Sequence, residues 1–109
     1  MRRLLVNIIV FLAMSNLSFG QYQQFEIWEN DTVNVVDASG LKQGLWLEYH
    51  ESGSVKKRTY YLNDIPHGGE SGFYKNGKVR YTIIWNQGVP HGFYQIYYQS
   101  GYVKKSGVW

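Results

Sequence analysis

The sequence predicts an all-β chain: an elongated, twisted antiparallel sheet of tandem hairpins that follows a cleaved signal peptide. Three observations predict it. A 24-residue spacing recurs three times along the chain, turn-forming Gly sits at the same place in each copy, and 17% of the residues are Phe, Trp or Tyr, types enriched in strands. One domain is the most that 109 residues support.

Residues 1–20 read as an address. Arg2 and Arg3 form a positive start, Leu4 to Met14 is apolar except for Asn7, and Ser18-Phe19-Gly20 puts small residues before a cut between Gly20 and Gln21. That is a secretory signal pattern, and its apolar run is about half the roughly 20 residues a spanning helix needs. The chain has no Cys, which excludes a lipoprotein anchor, disulfides, thiol catalysis and Cys zinc sites. Export to a bacterial periplasm, outer envelope or exterior is expected. Loss of Arg2 and Arg3 would lower the net charge from +3 to +1, too little for nucleic-acid binding. The remaining charge is uneven: residues 21–41 carry four acidic side chains and no Lys or Arg, whereas nine of the basic residues fall in 42–109.

Residues 21–43 read as N-terminal capping strands, with Phe25 to Trp28 and Thr32 to Val36 flanking a turn at Glu29-Asn30-Asp31. The repeat array follows over 44–109. Shifting the chain by 24 residues aligns Gly44, Gly68 and Gly92; Gly53, Gly77 and Gly101; Tyr49, Phe73 and Tyr97; Lys56, Arg80 and Lys104; and Tyr61, Trp85 and Trp109. Within each unit a strand such as Gly44 to His50 leads into a turn such as Glu51-Ser52-Gly53-Ser54. A second strand follows, as in Val55 to Leu62, Val79 to Trp85 and Val103 to Trp109. Asn63-Asp64-Ile65-Pro66-His67-Gly68 and Asn86 to Gly92 then read as linking turns. The array stops mid-unit at Trp109, an arrangement that suggests edge pairing with a partner or a second copy, or a shortened chain.

The pattern Gly-x-aromatic-x-x-Tyr, a turn Gly, then Pro-His-Gly resembles the MORN repeat in its variant bacterial form. Gly44-Leu45-Trp46-Leu47-Glu48-Tyr49 with Ser52-Gly53, Phe73 to Lys78, and Gly92 to Tyr98 carry the likeness, which covers about residues 40–109. Glu70 departs from the pattern, standing where the other units have Trp46 and Tyr94. The resemblance implies successive hairpins in one sheet. Many bacterial members carry a toxin–antitoxin antitoxin label, and others are linked to membrane or protein attachment and scaffolding.

Lys56, Arg80 and Lys104 would form a positive ladder, able to meet an anionic glycan or lipid surface, or simply to keep the sheet soluble. Tyr60, Tyr61, Trp85, Tyr98 and Trp109 could stack on sugars or anchor a protein, or serve as the core of a thin sheet. His50, His67 and His91 do not converge as metal ligands, and no nucleophile–base set or paired carboxylates recur. The expected role is thus non-catalytic, with no cofactor: a protein-binding scaffold in the envelope. Binding of a cell-surface glycan or anionic lipid through a basic and aromatic face is the alternative, and antitoxin-like neutralisation of a toxin protein a further one.

Overall fold

The computed structural model describes residues 22–109; the signal segment and its cut at Gly20–Gln21 lie outside the described residues. Nine strands form one antiparallel sheet: β1 (Tyr22–Trp28), β2 (Asp31–Asp37), β3 (Lys42–Tyr49), β4 (Val55–Leu62), β5 (Ile65–Phe73), β6 (Val79–Asn86), β7 (Val89–Pro90), β8 (Phe93–Tyr97) and β9 (Val103–Val108). Each pairs with its neighbour in sequence, except that β7 and β8 both pair with β6, as two halves of one strand. The sheet is long and thin, 51 × 35 × 18 Å, with a radius of gyration of 15.9 Å. A compact globule of this size would have about 12–13 Å.

Repetition in the sequence becomes repetition of register. Glu48–Lys57, Gly72–Tyr81 and Ile96–Lys105 are equivalent pairs one unit apart. All three hairpin turns close with the same two hydrogen bonds. Gly53 N–H donates to His50 C=O and His50 N–H to Ser54 C=O; Gly77 and Tyr74, then Gly101 and Tyr98, repeat the arrangement. The turn glycines have φ of +96°, +89° and +101°, a conformation that a Cβ penalises.

A bulge follows each turn. Tyr49 pairs with Val55 while Glu48 pairs with Lys57, so Lys56 is the extra residue; Arg80 and Lys104 are extra in the same way. The basic column is therefore a column of bulges, which increase the local twist.

The linking turns are shorter than the sequence suggests. Only Asn63-Asp64 and Gln87-Gly88 turn, each with both residues at positive φ, as does Glu29-Asn30 between β1 and β2. Two positive-φ residues are the type I′ signature, whose twist matches the flanking strands. Ile65-Pro66-His67-Gly68 and Val89-Pro90 consequently belong to strands. Pro survives there because the register shifts between Thr59 and Tyr61, opposite Pro66 to Glu70, and bulges tolerate a missing N–H donor.

The capping hairpin is tied on largely by side chains: Trp46 Nε1 donates to Val35 C=O at 3.2 Å and Gln43 Nε2 to Asp37 Oδ2 at 2.9 Å. β2 pairs with β3 only at Val35–Gln43 and Val36–Lys42. Beyond that, the Asn34 amide takes over: its Oδ1 accepts from Leu47 N–H at 2.6 Å and its Nδ2 donates to Leu47 C=O at 3.2 Å. Val33, Val35 and Leu47, the buried apolar residues, surround this junction. β3 starts at Lys42 and runs to Tyr49, so this strand carries the chain from the capping hairpin into the first repeat.

Candidate functional site

The register assigns the two faces of the sheet. One face carries Trp46, Thr59, Glu70 and Ile83 in paired sequence across β3 to β6. The other carries Leu47, Arg58, Ser71, Thr82, Gln95 and Ser106 across β3 to β9.

Glu70 organises the first face. It is only 8% exposed. Its Oε1 accepts hydrogen bonds from Thr59 Oγ1 at 2.9 Å and Trp85 Nε1 at 3.0 Å, and its Oε2 from the Tyr81 hydroxyl at 2.5 Å. A buried carboxylate is tolerable only when its lone pairs are taken up in this way. The residue that breaks the aromatic column is thus a hub drawing together three strands. Gly72 makes the space: a Cβ there would stand 2.0 Å from the Tyr81 ring. Burial, and then the Glu70 carboxylate, push the Tyr81 hydroxyl pKa well up.

The flanking units fill the same face differently. Trp46 and Tyr61 meet edge to face at 6.2 Å, with the Lys42 ammonium over both rings. Tyr94 and Trp109 pack at 5.2 Å above Gly107, where a Cβ would meet the Tyr94 ring. Tyr61, Trp85 and Trp109, the aromatic column, are all engaged with side chains of this face. Glu48 and Lys57 form an ion pair at 2.9 Å on it, and that carboxylate raises the Lys57 pKa.

Lys56, Arg80 and Lys104 are exposed, each the unpaired extra residue of a bulge next to Lys57, Tyr81 or Lys105, and the Lys104 ammonium stands 5.9 Å from the centre of the Tyr98 ring. The face opposite Glu70 carries the column one residue before the aromatics: Tyr60, Ile84 and Val108. These pair with Leu45, Gly69 and Phe93. Tyr60, Ile84, Phe93 and Val108 are 43%, 43%, 72% and 65% exposed. From the linking-turn end toward the hairpin end this face thus runs apolar, then polar at Arg58, Thr82 and Ser106. Of this apolar row, the sequence had singled out Tyr60 alone; the 24-residue shift of Tyr60 onto Ile84 and Val108 was the available signal.

The histidines are inter-unit staples. His67 Nδ1 accepts from Gln87 N–H at 3.3 Å, as Gln43 Oε1 accepts from Asn63 N–H at 3.0 Å one unit earlier. His50 Nε2 bonds the Phe73 carbonyl at 2.9 Å, and Tyr74 repeats this by donating to the Tyr97 carbonyl at 2.6 Å. His67 therefore belongs to a strand and not to a turn. Among the described residues no group of three or more His, Asp or Glu is placed to hold a metal ion, and no helix is long and apolar enough to cross a membrane.

No family model, curated protein or solved structure matches the chain. Its functional reading accordingly rests on the two faces themselves.

Proposed function

We propose that the chain is an exported, non-catalytic repeat protein that serves as a protein-binding scaffold or adaptor in a bacterial envelope. The exposed apolar row of Tyr60, Ile84, Phe93 and Val108 carries this reading. Contiguous apolar side chains left on one sheet face mark an interaction surface. The row spans three units, so a partner would meet it as an extended stripe rather than a pocket. Lys56, Arg80 and Lys104, exposed at the hairpin end of the same strands, suit a partner with acidic groups spaced away from its apolar contact. The signal-like residues 1–20 and the resemblance to MORN-variant repeats support the envelope setting and the scaffold role.

Photo-crosslinking in cells tests the reading. A crosslinker at Ile84 or Phe93 should trap one discrete protein, and Phe93→Ser should abolish the product from Ile84. A crosslinker at Lys75, in a hairpin turn, should trap none. Failure of both face positions to yield a discrete adduct would overturn the proposal.

The basic row favours a second reading, binding to an anionic glycan or lipid surface. Lys56 and Arg80 are exposed and make no ion pair with a described carboxylate. Co-sedimentation with envelope fractions should then be strong at low salt and lost at high salt. Replacing Lys56, Arg80 and Lys104 by Gln should remove it. Sedimentation that is indifferent to salt and to these substitutions would exclude this mode.

A further inference from the structure

The first unit contains a seat for an ammonium group, already filled. Lys42 Nζ lies 4.7 Å from the centre of the Trp46 ring and 5.0 Å from that of Tyr61. A cation at that distance is drawn to the electron-rich ring face. Two successive 24-residue shifts carry Lys42, Trp46 and Tyr61 onto Pro90, Tyr94 and Trp109. Backbone geometry travels with them. Gly44 pairs with Tyr61, and Gly92 C=O accepts from Trp109 N–H at 2.8 Å; the two glycines have φ of +71° and +77°. The third unit thus keeps both aromatic walls, with ring centres 5.2 Å apart at 45°, and has Pro where the first has its own cation.

We propose that Tyr94 and Trp109 form a binding seat for an alkylammonium group supplied from outside the chain, of the quaternary class. Trp109 is 61% exposed, so its ring is reachable. Among the described residues no cation stands over this ring pair: the ring-facing ammonium groups are Lys42, over Trp46 and Tyr61, and Lys104, over Tyr98. A quaternary ammonium fits better than a primary one because it is large and carries no N–H for water to hold, whereas a lysine ammonium is strongly hydrated. The second unit has no such seat, since Glu70 replaces the aromatic and is committed to Thr59, Tyr81 and Trp85. The seat lies on the Glu70 face, opposite the apolar row, and stands independently of the scaffold reading.

Choline chloride is the probe, read by NMR on the purified chain against sodium chloride at equal ionic strength. The indole N–H of Trp109 and the ring of Tyr94 should shift saturably in the millimolar range, with Trp46 and Trp85 unmoved. Pro90→Lys is the deciding variant. It places the chain's own ammonium where Lys42 stands in the first unit, so choline shifts at Trp109 should fall at least tenfold while the remaining spectrum stays that of the folded sheet. Phosphatidylcholine vesicles form a second arm. Trp109-dependent vesicle binding in addition to the choline response would assign the headgroup as source, and a choline response alone would assign a free ligand. Equal shifts at all tryptophans, no shift at Trp109, or undiminished binding in Pro90→Lys would overturn the proposal.

Discussion

The Tyr81 hydroxyl donates a 2.5 Å hydrogen bond to Oε2 of Glu70, and Gly72, directly opposite Tyr81 in the ladder, leaves the room for its ring. A carboxylate in an aromatic column is accommodated by a glycine on its own strand and three donors on two neighbouring ones. The middle unit is therefore held by polar satisfaction where the outer two are held by ring contacts.

Glu70→Ala should consequently be costly. Thr59, 1% exposed, would keep a hydroxyl with no acceptor, while the half-buried Tyr81 and Trp85 could turn to water. A loss of about 2–3 kcal/mol is expected from stranding a buried donor, measured by chemical denaturation. Glu70→Gln, which retains a carbonyl acceptor, should cost less. Equal losses in the two variants would show that the hub acts through volume rather than hydrogen bonding.

Alkaline pH should weaken the sheet through two phenols. Burial, reinforced by Glu26, pushes the Tyr49 pKa up to about 12, and burial with Glu70 raises that of Tyr81 from its ordinary value of 10.0. The unfolded chain releases these protons first, so the folded chain binds more of them above pH 10. Stability is then whole below the unfolded value and lost as pH rises through the folded ones. Phenolate absorbance should show both groups titrating late. Glu70→Gln should bring Tyr81 down and leave Tyr49 in place.

His67 and Gln43 hold the same kind of bond in successive units. His67→Gln should therefore be nearly neutral, whereas His67→Ala should free the Gln87 amide and speed its hydrogen exchange, with a global cost below about 1 kcal/mol for an exposed bond. Unchanged exchange at Gln87 in the alanine variant would mean that the ring nitrogen contributes nothing there.

Gly77 closes its hairpin at φ +89°. Gly77→Val should cost about 1–3 kcal/mol, because a β-branched residue is strained at positive φ, while Gly77→Asn should be milder. A melting temperature unmoved by valine would contradict the turn geometry of that unit.

Much of the architecture is legible in the residues. Gly53, Gly77 and Gly101 mark the hairpins because few other residues accept their φ. The paired strands follow from those turns, and the common register from the unbroken 24-residue spacing. Pro66 and Pro90 misled, since proline usually signals a turn; here the type I′ pairs Asn63-Asp64 and Gln87-Gly88 had already reversed the chain.

The sequence alone determined the all-β class, the number of hairpins and the recurrence of a basic and an aromatic column. Only the tertiary structure decided which columns share a face. Each strand alternates its side chains, and one extra residue changes what lies opposite what. The register across such shifts puts Tyr61, Trp85 and Trp109 on the Glu70 face and Tyr60, Ile84 and Val108 on the other, while Lys56, Arg80 and Lys104 stand at the bulges, outside the ladder pairing. The fate of Glu70 was likewise decided in three dimensions, because its donors come from two neighbouring strands, and the burial that makes them necessary exists only once the sheet has formed.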